Sequence, residues 1–395
     1  MIKERIDDLV DILGEEFARI ENTFVIRNQE QLVKYMENPK QWKKRQLASR
    51  ASYKRELISI AKEQIKPLKE KVEKVFLLSY QAIDDKNIAI TESEIEVGDI
   101  PKEIKQQIRS MQEFSAKGVI ELADQSLKTY TRSVSIINET SSQEALYEAI
   151  KRQMPRGVEN GIKVTYRNGA QFTWKAYMEM NVRTTVHQEA TEMQMKAGAK
   201  VGQVFYIVDS FADCAPDHAD FQGKMYYNEE SEIPEKVMDF IKANGIQSMQ
   251  QVTRNKPFLT SRPNCRHEFH AIPLSEAMGM SEQEILKKEG FYRGKYKASN
   301  YEDTQKQRYF ERQIRKWKLR QENAEKIKAE TGQDMGDAAF AKKKVRQWQA
   351  SQRQLISESK GLLKRRYDRE NAKYLVDHLG VSYDYKSVDG KLVKK

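Results

Sequence analysis

Val201-Gly202-Gln203-Val204-Phe205-Tyr206-Ile207-Val208 runs straight into Asp209-Ser210-Phe211-Ala212-Asp213-Cys214-Ala215-Pro216-Asp217-His218. The first part is rich in β-branched and aromatic side chains and reads as a core strand. It stands inside a chain that is otherwise largely helical in pattern, so it marks a sheet-bearing centre. The loop after it carries Cys214 and His218. A second loop, Arg262-Pro263-Asn264-Cys265-Arg266-His267-Glu268-Phe269-His270, carries the other cysteine and two more histidines. Two loops thus hold both cysteines and three of the five histidines of the chain, which points to one compact site where they meet.

Working outward, the pattern first changes at Pro155-Arg156-Gly157. Ile162 to Arg167 alternates apolar and polar residues, Asn168-Gly169 follows, and Ala170 to Trp174 forms a second short run. Asn-Gly between two such runs predicts a hairpin, because a type I′ turn needs positive φ at both central residues. A helix is expected from near Thr173 to Ala197, with Gly198 as its terminator. Met225-Tyr226-Tyr227 reads as another strand and Ile233 to Asn244 as a helix, and the centre closes at Ala271-Ile272-Pro273.

The flanks read as helical arms. Ile6, Leu9, Val10, Leu13, Phe17 and Ile20 recur at three- and four-residue steps, the stripe of an amphipathic helix. Pro39 punctuates the next helix, and a long one is expected from Gln41 to Tyr80 with Pro67 inside it. Turns are expected at Asp84 to Asn87 and at Gly98 to Pro101, then helices over Lys102 to Ile137 and Ser142 to Met154. Beyond the centre, Ser281-Glu282-Gln283-Glu284 resembles a capping box, and Phe291 to Tyr301 reads as a basic aromatic loop. A basic helix runs from Asp303 to a break at Gly332 to Gly336, and a second from Ala338 to Ser359. A further helical stretch is expected to Leu379. The fold class is therefore α+β: mostly helical, with a small central α+β domain (hairpin, helix, strands) between long helical arms. The divisions expected are 1–155, 156–276, 277–379 and a mobile tail over 380–395.

Charge is uneven. The net charge is +11, yet residues 281–395 hold 29 Lys and Arg against 17 Asp and Glu, so the rest of the chain is close to neutral. Such asymmetry suits a polyanionic partner, with nonspecific, salt-dependent contact to double-stranded DNA through Arg308, Arg312, Arg315, Lys316, Lys318, Arg320, Lys342, Lys343 and Lys344. Trp317 and Trp348 sit at helical spacing with apolar residues and read as packing anchors rather than base-stacking platforms. No window approaches the ~18 consecutive apolar residues of a membrane span, and Met1 to Arg5 lacks the apolar stretch of a secretory signal. Two cysteines make no disulfide framework, and there is no glycine-rich phosphate loop ending in Lys-Ser/Thr.

Metal chemistry is the remaining option. Cys214, His218, Cys265 and either His267 or His270 make up the four ligands of a tetrahedral structural zinc. Catalysis has less support. A zinc nuclease would need a bound water and a carboxylate base, for which Asp213, Asp217 and Glu268 are the neighbours in sequence. His267-Glu268 is followed by no Pro-Cys-x-x-Cys, so the deaminase signature is absent.

Four segments, in order, carry a family resemblance. They are Arg167-Asn168-Gly169 with Tyr177 to Thr184, including Arg183; Pro216-x-His218 continuing to Gln222-Gly223-Lys224; Asn264-Cys265-Arg266-His267-x-Phe269 with Pro273; and Tyr301 opening the basic run Thr304 to Arg315. Together they resemble the phage minor capsid protein 2 family of tailed bacteriophages, and more distantly the Mu F-type head proteins. In the family pattern the position of Cys214 is not reliably cysteine, and that of Phe221 is often Trp. The resemblance implies a virion component and not an enzyme: a minor head protein near the portal vertex in the capsid interior, assembled in the host cytoplasm. Its implied partners are the portal protein, a scaffold or major capsid protein, and packaged DNA, with roles in head morphogenesis and DNA packaging or ejection. The alternatives are a zinc-dependent nuclease and a standalone DNA-binding protein.

Overall fold

A computed structural model describes residues 2–91, 102–160, 163–165, 169, 171–255, 265, 267–280, 298–332, 338–370, 385–388 and 391–394. The expected turn at Gly98 to Pro101, the capping box at Ser281, most of the loop Phe291 to Tyr301 and residues 371–379 of the last expected helical stretch lie outside these residues; of that stretch, Tyr367–Glu370 is helical. The chain forms two compact units, each assembled from three segments. One comprises Met1–Val10, Val75–Pro101 and Met180–Lys306, the other Asp11–Lys74, Lys102–Glu179 and Gln307–Lys395.

The second unit is helical. Helix α1 (Ile2–Val33) is followed by α2 (Pro39–Ala48), α3 (Arg50–Thr91), α4 (Lys102–Ile136) and α5 (Gln143–Asn160). Leu13, Phe17 and Ile20 of the predicted stripe are buried, as is Phe24, alongside Leu57, Ala61, Leu68 and Val72 of α3 and Val119, Leu122 and Tyr130 of α4. Pro39 occupies the first turn of α2, where its missing N–H costs nothing. The long helix expected from Gln41 is divided at Ser49, whose hydroxyl turns back to the carbonyl of Gln46 at 2.9 Å. Two expected breaks are absent: α3 continues through Asp84 to Asn87, and α5 continues through Pro155 to Gly157.

Buried polar groups tie this unit together. The Gln46 amide donates to the carbonyls of Gln31 (2.8 Å), Leu32 (3.3 Å) and Lys34 (3.0 Å), at the end of α1, where helical carbonyls lack partners. Tyr130 of α4 donates to Gln46 Oε1 at 2.7 Å. Tyr53 donates to Asn28, whose own amide donates to the Ser126 carbonyl. The predicted hairpin forms from β1 (Lys163–Thr165) and β2 (Gln171–Thr173), with Thr165 opposite Gln171 as the pair nearest the turn among the described residues. Gly169, between the two strands, has a positive φ of 82°.

Helix α6 (Trp174–Lys200) starts with Thr173 Oγ1 accepting from the Ala176 N–H. It passes through Gly198, the expected terminator, and stops instead at Gly202. That residue has φ +72°, and Gly202 N donates to Ala199 O while Gln203 N donates to Gly198 O, the paired bonds of a Schellman end. Gly198 has a different role: a methyl group there would overlap the hydroxyl of Tyr206.

The first unit is built on a four-stranded sheet. Strands β3 (Phe205–Val208), β4 (Met225–Tyr227), β5 (Gln247–Ser248) and β6 (Phe269–Ile272) lie in the order β5-β4-β3-β6. β3 runs antiparallel to both β4 and β6, and β4 is parallel to β5. All four residues of β3 are buried, so both faces of the sheet are covered. On one face Tyr206, Val208, Tyr226 and Phe269 pack with Met195 of α6 and with Met249 and Val252 of α8 (Met249–Asn255). On the other, Phe205, Ile207, Met225 and Ile272 pack with Val237 and Ile241 of α7 (Glu235–Ala243) and Ala277 of α9 (Leu274–Met278).

The basic helices are α10 (Ala298–Thr331) and α11 (Ala338–Glu358). Ile314 and Trp317 of α10 pack on Ala341 and Val345 of α11. Tyr309 meets Trp348 and Trp317 meets Phe340, so the two helices run antiparallel. In the tail, read from sequence as mobile, β7 (Tyr385–Val388) and β8 (Lys391–Lys394) pair as a local antiparallel hairpin. Alternating residues with Asp389-Gly390 between them are the pattern such hairpins favour. No helix among the described residues is long and apolar enough to cross a membrane.

Candidate metal centre

The sheet register places the second loop against the first. The β3–β6 ladder pairs Val208 with Phe269, and one step further Asp209 N donates to Glu268 O while Asp209 Oδ1 accepts from Glu268 N, both at 2.9 Å. His267 and Cys265 are therefore delivered beside the chain leaving β3. That chain folds through a 3-10 turn at Pro216–His218, started by Pro216 with its fixed φ, and His218 ends the turn with its side chain buried.

Three of the five candidate ligands converge. The Nδ1 atoms of His218 and His267 are 3.3 Å apart, and Cys265 Sγ lies 3.9 Å from the first and 3.5 Å from the second. All three residues are buried, and among the described residues theirs are the His, Cys and carboxylate ligand atoms that lie within 4.8 Å of one another as a group of three or more. Cys265 is not oxidised, nor is Cys214. Burial holds His218 below its ordinary pKa of 6.5, in the neutral form that offers a lone pair.

Cys214 and His270 stand apart from this group. Cys214 is buried in the same loop, its N–H donating to Phe211 O. Its thiol is pushed up to about 11, first by burial and then by the neighbouring charges of Asp213 and Cys265. His270 pairs with Ile207 in β6, and strand alternation sets it on the sheet face opposite Phe269. Among the described residues no carboxylate joins the group: Asp213 accepts instead from the hydroxyl of Thr304, at 3.0 Å.

Gln222 is the residue whose role was not visible in the sequence. Its Oε1 accepts from Phe211 N at 2.9 Å and its Nε2 donates to Phe211 O at 3.1 Å, so both ends of the amide are fixed. The same Oε1 lies 3.0 Å from His267 Nε2. It can only accept there, so His267 carries its proton on Nε2 and turns the Nδ1 lone pair toward His218 and Cys265. Gly223 and Lys224 complete the motif by returning the chain to the sheet: Gly223 N donates to Val208 O and Val208 N donates to Lys224 O. Of the other motif residues, Gly169 is exposed and Arg183 is buried on α6, while Asn168, Asn264 and Arg266 lie outside the described residues.

The candidate DNA-contacting residues divide by exposure. Arg312, Lys342 and Lys343 are exposed, whereas Arg308, Arg315, Lys316, Lys318, Arg320 and Lys344 are half-buried. Part of that burial is packing on rings: Arg320 and Lys316 lie over Trp317, and Lys344 over Phe340. Trp317 itself is buried, as its spacing predicts.

Residues 3–357 match the family of phage minor capsid protein 2. The chain belongs to that family. Among curated proteins it is similar to a structural protein of Lactococcus phage LL-H, 26% identical over 230 residues that cover 57% of this chain and 56% of that protein. It is also similar to a structural protein of Lactococcus phage mv4, 36% identical over 107 residues that cover 27% of this chain and 76% of the relative. The chain thus spans little more than half the length of the LL-H protein. No solved structure matches. Membership extends the resemblance read from residues 167–320 back into the N-terminal helices. It places the chain among phage structural proteins, a virion setting, and the His218 and Asn264-to-Phe269 loops are two of the motif segments that carried the likeness.

Proposed function

We propose that this minor capsid protein acts at the portal vertex inside the head, with its N-terminal helices contacting the portal or scaffold and its basic helices contacting packaged DNA. The observation that carries the DNA reading is on α11. Between Ala338 and Ile356 it holds Lys342, Lys343, Lys344, Arg346 and Arg353 with no acidic residue, and its apolar side is already taken by the packing on α10. Lys342, Lys343, Arg346 and Arg353 are exposed. A fixed row of cations without intervening carboxylates suits phosphates, which it meets without reading bases.

Duplex binding by the purified chain tests the DNA reading. Replacing Arg312, Lys342, Lys343 and Arg346 together by Ala is expected to weaken binding of any sequence. It is also expected to flatten the salt dependence by about 0.9 in log–log slope for each phosphate no longer neutralised. Binding indifferent to salt, or unchanged in this variant, contradicts it. Crosslinking in procapsids tests the portal reading: adducts between residues 1–155 and the portal protein are expected, and adducts confined to the outer shell contradict it. The nuclease alternative has no carboxylate ligand here, since among the described residues none stands with the His–Cys–His group.

A further inference from the structure

We propose that His218, Cys265 and His267 bind one zinc ion, which staples the loop after β3 to the segment entering β6. The distances come first. Zinc bonds nitrogen at about 2.0–2.1 Å and sulfur at about 2.3 Å, so a tetrahedral ion holds two nitrogens about 3.4 Å apart and a nitrogen and sulfur about 3.6 Å apart. The chain holds the two Nδ1 atoms at 3.3 Å and Cys265 Sγ at 3.5 Å and 3.9 Å from them. One point is therefore within bonding range of all three atoms after shifts of a few tenths of an ångström.

Proton placement is the second observation. Gln222 fixes the proton of His267 on Nε2, leaving Nδ1 as a lone pair aimed at the other two ligands. A histidine ligand whose far nitrogen donates to a fixed oxygen is the usual outer-shell arrangement of a metal site. Without a cation, His218 Nδ1 and Cys265 Sγ would both be directed at that one lone pair, which accepts one good hydrogen bond. A cation accepts from all three atoms at once. Binding takes the thiol proton of Cys265 into solvent and leaves a thiolate on the metal, so the dication and thiolate leave one net positive charge in the buried site.

Ligand chemistry selects the ion. Two imidazoles and a thiolate suit a borderline-soft metal, and the all-oxygen preference of calcium and magnesium excludes those two. The three ligands come from two short segments, His218 from one and Cys265 and His267 from the other, joined by the backbone and side-chain bonds between Asp209 and Glu268 at the edge strand β6. An ion there cross-links β6 to the loop that follows its neighbouring strand β3. Its role is structural, and it is independent of the portal and DNA contacts proposed above.

The test uses the untagged full chain, purified in reductant without chelator. Elemental analysis is expected to find close to one zinc per chain. Exchange into cobalt is expected to give the thiolate-to-cobalt charge-transfer band and the intense visible bands of a four-coordinate ion. Cys265→Ser is expected to lose the charge-transfer band, His267→Gln to lower occupancy severalfold, and Cys214→Ala to keep both band and stoichiometry. Because the ligand variants can fail to fold, the unaltered chain supplies its own control: chelation lowers the midpoint of thermal unfolding and added zinc restores it. Absence of zinc together with absence of a cobalt–thiolate band in the folded, unaltered chain overturns the proposal. So does a band that survives Cys265→Ser or disappears with Cys214→Ala.

Discussion

At the scale of single residues, the positions that matter most here act through contacts that a local reading does not show. Gly198 is the clearest. Read locally, a glycine near the end of a helical pattern is a stop signal, yet the helix continues and the missing side chain admits Tyr206 of β3. Gly198→Ala is expected to destabilise the chain by about 1–3 kcal/mol despite the better helix propensity of Ala, through overpacking. Combining it with Tyr206→Phe is expected to recover part of that loss, and additive effects in thermal unfolding would contradict the contact. Glu16 is buried in the helical unit. Desolvation pushes its pKa up, but bonds from Arg19 and from Lys71 (2.8 Å) outweigh it and hold the carboxyl below its ordinary 4.5. A depressed carboxyl adds stability above its unfolded pKa and loses it as the pH falls through the folded value, so this contribution fades below about pH 4.5. Glu16→Gln is accordingly expected to cost about 1–3 kcal/mol at neutral pH and progressively less in acid. Denaturant titrations at both pH values check this, and a loss that does not shrink in acid contradicts it. The preference for His267 over His270 was equally hidden, because it depends on where β6 begins and which face each residue takes. So was the part played by Gln222, whose backbone partner is set by the loop and not by neighbours in the motif.

At the scale of elements, the helices were legible because their signal is local and periodic. Leu9, Val10, Leu13, Phe17 and Ile20 lie on one face, and those positions are buried. Asp84 to Asn87 misled because a short run of charged and polar residues has the composition of a turn even where the helix continues through it. The tail hairpin was legible in Asp389-Gly390 between alternating residues and was missed because its basic, terminal setting suggested no order. β5, α8 and α9 are too short to show a period; β5 pairs with β4 at the sheet edge, and α8 and α9 pack on the sheet faces. The end of α1 illustrates how an element is fixed by another. Gln46 of α2 supplies the donors that its last carbonyls lack, and Tyr130 of α4 holds the Gln46 oxygen. Gln46→Leu keeps the volume and removes the donors. It is expected to cost about 2–4 kcal/mol, since buried carbonyls and a tyrosine hydroxyl lose partners together. A variant that unfolds at the unaltered midpoint would show that these carbonyls find other donors.

At the scale of the whole molecule, the sequence divides its tasks unevenly. Chemistry-capable residues concentrate in the sheet-bearing unit, where two loops meet, and positive charge concentrates after residue 281. The helical pattern and the single strand-rich centre were enough to reach the α+β class, and the ordered motifs were enough to reach the family. The grouping of Met180–Lys306 with Met1–Val10 and Val75–Pro101 was not legible, because it rests on contacts between segments distant in sequence. The role proposed at the portal vertex implies that the chain is carried in particles in few copies. Quantitative mass spectrometry of purified procapsids and mature virions tests this most directly. The account predicts the chain in the particles at far fewer copies than the major capsid protein. Its absence from both particles would contradict it.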